Sequence, residues 1–371
     1  MSPATETELS EIVAGAKGPL RVVGGGTRPI GRPVAGEVLT VAALSGIELY
    51  EPGALTIVAR AGTPLAEVEA ALAAEGQRLP FEPMDHRALL GTGGEPTIGG
   101  VVAANVAGPR RIQAGAARDS LIGVRFVDGS GTIVKNGGRV MKNVTGYDLV
   151  KLMAGSWGTL GVLSEVAFKV LPAPEAAASL SLEGLSPLQA VEAMATALGS
   201  PFEVSGAAHL PGEGRTMLRI EGFVASVAYR AGRLSELMAP FGAVTVEEDG
   251  ARVAEIWRGI RDVSGFAGRA GDVWRISVTP SDGPEIAART GGEAMFDWGG
   301  GLIWALVPEG TDLRARLGAF AGHATLIRAS EETRARIAPF QPEPAPLAKL
   351  SRGLREKFDP RGVLNPGLMG A

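Results

Sequence analysis

Glycine fills 53 of the 371 positions, roughly twice its usual share, and it comes in short clusters with no fixed period. That pattern excludes a collagen-like fibre and calls for loops that bend sharply or press their backbone against something. The first cluster, Val22-Val23-Gly24-Gly25-Gly26-Thr27, reads as a strand entering a turn whose bare amides can approach a phosphate, with the Thr27 hydroxyl as a further donor. It is not a Rossmann fingerprint. Pro29 stands where a third glycine would be, and Arg28-Pro29-Ile30-Gly31 is a poor helix start. Alone, an ordinary tight turn is the better reading.

A second segment changes that balance. Residues 91–108 nearly exclude bulky side chains, and Thr97-Ile98-Gly99-Gly100 opens their most compact stretch. Small residues let amides and a helix N-terminus press on a diphosphate, while Thr97 and Asn105 supply polar fixing points. A close helix-packing surface is the competing explanation, but it gives no reason for the threonine and the paired glycines.

Composition narrows the class. The net charge is −4 with no long basic run, so the chain lacks the electrostatic footprint of nucleic-acid binding. No cysteine occurs, which excludes disulfides, thiolate zinc sites and cysteine-held iron-sulfur clusters within this chain and points to an intracellular location. Residues 1–11 lack the basic-then-apolar pattern of a secretory signal, and no apolar run is long enough to span a bilayer. Any membrane contact is then expected through a partner.

A length of 371 residues predicts two domains. Strands are expected at 20–23, entering the glycines at 24–26, and at 38–42 and 55–61, a helix at 63–75 with Thr63 as its cap, a hairpin at 121–135, a helix at 147–153 and a strand at 161–171. Residues 82–108 read as loop-rich. Beyond Pro172 and Pro174 the pattern becomes strands at 177–182, 203–209, 217–224, 244–248, 273–278 and 302–307. Helices are expected at 187–198, 227–238, 252–263 and 312–320. After several prolines, 347–358 reads as a basic helix. The fold class is α+β, with a first domain at 1–173, a second at 174–328 and a C-terminal segment at 329–371.

Four landmarks in order resemble the FAD-binding domain (PCMH type) of vanillyl-alcohol-oxidase-type flavoproteins: Gly24-Gly25-Gly26-Thr27, Thr97-Ile98-Gly99-Gly100, Gly115-Ala116-Ala117-Arg118-Asp119 and Gly158-Thr159-Leu160-Gly161-Val162. The segments 142–148 and 358–367 resemble the glycolate-oxidase branch, and the length matches its smaller flavoprotein subunit. The resemblance implies a two-subdomain FAD-binding domain, an α+β cap and a tail that returns to the first domain. It implies that Gly24, Gly25, Gly26, Thr27, Thr97, Ile98, Gly99 and Gly100 contact the pyrophosphate of FAD. Arg118 and Asp119 would line the same groove, Gly161 and Val162 would present backbone near the adenine or ribose, and Asn365 would reach the flavin end. Lys142 and Tyr147 would lie near the flavin.

Two departures qualify the carry-over. The first loop has no histidine or cysteine, so non-covalent FAD is expected. No metal site is expected either, because the three histidines, His86, His209 and His323, lie far apart. Acid–base candidates are thin. Arg275 and Arg328 could clamp a substrate carboxylate or serve only as strand-surface charges. The resemblance implies a subunit that oxidises glycolate, a 2-hydroxy acid, to glyoxylate and passes electrons to an iron-sulfur subunit beside a larger homologous flavoprotein, in the cytoplasm or at the inner membrane through that complex. The alternatives are a non-catalytic FAD-binding scaffold subunit and a stand-alone reductase like the cell-wall enolpyruvyl reductase.

Overall fold

The computed structural model describes residues 1–138 and 146–370. Lys142 lies outside the described residues.

The first domain is built in two parts. A parallel strand pair, Leu20–Val23 with Glu37–Thr40, leads into the first glycine loop. A five-stranded antiparallel sheet runs in the order Ile47–Glu51, Thr56–Arg60, Val162–Lys169, Leu121–Val127, Ile133–Gly137. The N-terminal helix Glu6–Gly15, absent from the sequence reading, is capped by Thr5, whose hydroxyl accepts from the Glu8 amide at 3.1 Å. Its Leu9 and Val13 pack with Leu20, Leu39, Val127, Val363 and Leu364, so the tail shares a core with the first strand.

The second domain is an eight-stranded sheet, antiparallel throughout, in the order Val244–Glu247, Ala176–Glu183, Arg215–Gly222, Gly206–Leu210, Glu293–Asp297, Leu302–Val307, Asp272–Val278, Gly322–Arg328. Its two faces separate by strand alternation. Leu218 and Ile220 join the core under the helices Pro187–Leu198 and Val224–Met238, whereas Met217 faces the first domain. Trp274 and Ile276 likewise face the outer helices, and Val273 faces inward. By the same alternation Arg219, Glu221 and Arg275 are charged residues on the inward face of a sheet.

Several expected boundaries move for local reasons. Thr63 does not cap its helix: the helix is Leu65–Ala74, and the buried Thr63 hydroxyl bonds the Gly46 and Arg60 carbonyls at 3.1 and 2.7 Å. The strand expected at 203–209 begins at Gly206 because Glu203 has φ +52°, outside any strand conformation. Val224 opens a helix rather than closing a strand. The region read as loop-rich holds two short helices, Arg87–Leu90 and Ile98–Ala103.

Candidate functional site

The two glycine segments meet face to face. A Cβ on Gly24 would overlap the Thr97 hydroxyl, and one on Gly25 would overlap the Glu95 carbonyl oxygen. Gly94, at φ +85°, answers from the other side by approaching the Gly25 carbonyl. Gly26 differs: at φ +73°, its missing side chain leaves open space. Thr27 is buried, and its carbonyl accepts from the Thr92 hydroxyl at 3.0 Å, tying the loops together once more.

Where the amides point decides which loop can hold an anion. Thr97 caps Ile98–Ala103, its hydroxyl accepting from Gly100 N at 3.2 Å. The Ile98 and Gly99 amides donate to the Thr63 and Ala61 carbonyls at 3.0 and 2.8 Å. The start of this helix is thus already satisfied, and Thr97 to Gly100 form a floor. Among the described residues, no acceptor within the protein takes the amides of Gly24, Gly25, Gly26 or Thr27. Unpartnered consecutive amides on an open glycine turn are the donor set that a diphosphate satisfies. A second orphan, Ser156 Oγ, is buried in the loop that bonds the far end of the same helix: the Gly155 and Trp157 amides donate to Val102 and Ala103 carbonyls at 3.0 and 2.9 Å. These residues fit a bound dinucleotide.

Beside the first loop lies a group that sequence spacing hides. Arg28 donates from Nε to His86 Nδ1 at 3.1 Å and from a terminal nitrogen to the Met84 carbonyl at 3.3 Å. Its guanidinium also lies over Gly100. Burial pushes Arg28 down to about 10 and His86 down to about 3, with the Arg28 charge adding to the effect on His86. His86 Nδ1 also lies 3.2 Å from the Met84 carbonyl, so it accepts from Arg28 in one neutral tautomer and donates to Met84 in the other.

The remaining expected residues are scattered in role. Asn105, at φ +46°, accepts from the Arg118 amide at 3.1 Å. The Arg118 side chain is half exposed, and the Asp119 carboxylate accepts from the Ala116 amide at 2.8 Å. Gly161 is packed against Phe126, and Val162 is buried in the core shared with the N-terminal helix. Asn365 accepts from the Val22 amide at 2.8 Å and donates to the Trp157 carbonyl at 2.9 Å, stitching the tail to the strand that feeds the first loop. Tyr147 is 88% exposed, so helix-face packing does not hold it.

The two candidate arginines part company. Arg328 is consumed by backbone, donating to the Leu89, Phe266 and Arg269 carbonyls at 3.1, 2.7 and 2.7 Å. Arg275 has no hydrogen-bond or carboxylate partner among the described residues, and its guanidinium lies 5.0 Å from the Trp298 ring. His209 is fully buried, with Nδ1 2.9 Å from the Thr216 hydroxyl.

The domains are joined by a buried ion network. Arg219 reaches Glu82 at 2.8 Å, and Arg110 reaches Glu221 at 2.7 Å and Glu82 at 3.3 Å. Arg78 also reaches Glu221, at 2.8 Å. Burial pushes the Glu82 and Glu221 carboxyls up, but the arginines outweigh it and hold both below the usual range.

The family described as "FAD binding domain" matches residues 1–137, and the chain is a flavoprotein of the FAD-linked oxidoreductase class. Over 359 residues the chain is 40% identical to the glycolate oxidase subunit GlcE of Escherichia coli K12, covering 96% of this chain and 93% of that one, and it belongs to that family. Its cofactor is FAD. A shorter stretch of 84 residues is 45% identical to a D-lactate dehydrogenase of Anaerostipes hadrus, covering 23% of this chain and 18% of that one. The fold matches alkyldihydroxyacetonephosphate synthase with a TM-score of 0.71 at 15% identity, over 99% of this chain and 76% of that one. Among the described residues no helix is long and apolar enough to cross a membrane.

Proposed function

We propose that this chain is the FAD-binding subunit of a glycolate oxidase complex, in which it oxidises a small 2-hydroxy acid to the 2-oxo acid. The observation that carries the reading is the unpartnered run of amides from Gly24 to Thr27, in a chain similar to GlcE over nearly its whole length. These amides would hold the pyrophosphate, and the Thr97-to-Gly100 floor would fix the loop's height against it. FAD, when bound, supplies the two-electron redox chemistry. The loop offers no thiol or imidazole for a covalent bond, and the nearby His86 has its Nδ1 taken up by Arg28 and the Met84 carbonyl, so the cofactor is held non-covalently. With no cysteine in the chain, an iron-sulfur partner would take the electrons, and a larger homologous flavoprotein would complete the complex.

A second reading, a scaffold subunit that holds FAD while the larger flavoprotein oxidises the substrate, draws on the shortage of free bases: His86 and His209 are both held toward the neutral form by burial. Anaerobic addition of glycolate to the purified, FAD-loaded chain separates the two. Bleaching of the flavin supports oxidation here, and a spectrum that stays oxidised supports the scaffold.

A further inference from the structure

We infer that Arg111 and Arg275, both laid against the Trp298 indole where the two domains meet, form a clamp for the carboxylate of a small 2-hydroxy acid. The inference rests on the flavoprotein reading above and names the ligand class of the same seam.

Each residue arrives from a different element. Arg111 opens the short helix Arg111–Ala114, just after the second glycine segment. Trp298 follows the strand Glu293–Asp297, and its Nε1 donates to the Gly108 carbonyl at 3.0 Å, which anchors the indole to the end of that segment. Arg275 comes from the inward face of the strand Asp272–Val278. The guanidinium carbons of Arg111 and Arg275 lie 4.9 and 5.0 Å from the Trp298 ring centroid.

Neither guanidinium makes a hydrogen bond or has a carboxylate within 4 Å among the described residues, although carboxylates are close by. Arg110, the immediate neighbour of Arg111, is held by Glu221 and Glu82. Arg111 and Arg275 are left out of that network and repel each other: burial and then this repulsion push Arg275 down to about 10, against the opposing pull of the Asp297 carboxyl beyond 4 Å. Two desolvated like charges packed against one indole are costly unless an anion joins them. A guanidinium pair offers in-plane donors suited to a carboxylate, and the indole supplies an apolar surface for a short carbon chain. Arg328 fails as a clamp because its donors already meet carbonyls.

The test uses the FAD-loaded chain at low salt, titrated with oxalate as a non-oxidisable carboxylate and, separately, with inorganic phosphate, followed by tryptophan fluorescence and flavin absorbance. The parent binds oxalate more tightly than phosphate. Arg275→Met and Arg111→Met each weaken oxalate binding at least tenfold, and Arg275→Lys retains part of it. Without ligand, Arg275→Met unfolds at a higher temperature than the parent, because one of two repelling charges is gone. Unchanged oxalate affinity in both methionine variants, or phosphate binding as tight as oxalate, overturns the clamp. Failure of the chain to take up FAD would count against the flavoprotein reading instead, and the fluorescence titration would still decide the clamp.

Discussion

Gly25 and Glu95 meet backbone to backbone: a single methyl on Gly25 would occupy the position of the Glu95 carbonyl oxygen. This contact fixes the first glycine loop on the second, and it explains why position 25 must be glycine. Gly25→Ala is therefore expected to lose FAD and to lower the melting temperature by several degrees, since no flexible side chain can yield. Gly26→Ala meets only open space and carries a φ penalty of about 1–2 kcal/mol, so it is the milder of the two. Flavin content and thermal melts of both variants check the order.

The Arg219 pair with Glu82 spans the domain boundary at 2.8 Å. Arg219→Met leaves a buried carboxylate short of a partner, and a loss of about 3–5 kcal/mol follows. Because Glu82 and Glu221 have folded pKa values below the ordinary 4.5, their stabilisation is present above that value and lost as the pH falls through the folded pKa. Acid unfolding of Arg219→Met should begin at a higher pH than in the parent, as read by denaturant melts across the acid range.

Asp297 works in the opposite direction. Burial pushes its carboxyl up from 3.8 to about 7, so the folded state keeps a proton that the unfolded chain releases. Its contribution is complete below the unfolded value and is lost as the pH rises to about 7. Asp297→Asn keeps an oxygen for the Trp298 amide, now at 2.7 Å, and should raise the melting temperature at pH about 8 while leaving it nearly unchanged at pH about 4. Paired melts at the two pH values check the sign.

Asn365 is tied to Val22 and Trp157 by three side-chain hydrogen bonds at 2.8, 2.9 and 3.5 Å. Asn365→Ala leaves the Val22 amide and the Trp157 carbonyl without these partners, at a cost of about 1–3 kcal/mol. Since Val22 leads into the first loop, FAD affinity should fall with stability, and equilibrium dialysis of FAD measures it.

How much of this was legible in the sequence depends on whether the cause was local. The strand into Gly24-Gly25-Gly26 and the small-residue stretch after Thr97 were both readable, because only glycine tolerates such turns and approaches. That the Ile98 and Gly99 amides are already taken by Thr63 and Ala61 was not readable, because those carbonyls lie some 35 residues earlier in the chain. The Arg28–His86 contact spans 58 residues and left no pattern. Arg275 did leave one: Val273-Trp274-Arg275-Ile276 puts a charge at an inward position of an alternating strand. Sequence alone weighed it level with Arg328, and only the carbonyls around Arg328 separate the two.

We propose that the chain itself holds FAD, without a covalent bond, on the loop from Gly24 to Thr27. The direct measurement is the visible spectrum of the purified chain followed by denaturation and separation of small molecules from polypeptide. The expected result is a yellow protein that releases FAD in near-equimolar amount, with Gly25→Ala purified in parallel lacking flavin. A colourless chain that cannot be loaded with FAD, or flavin that stays with the denatured polypeptide, would contradict it.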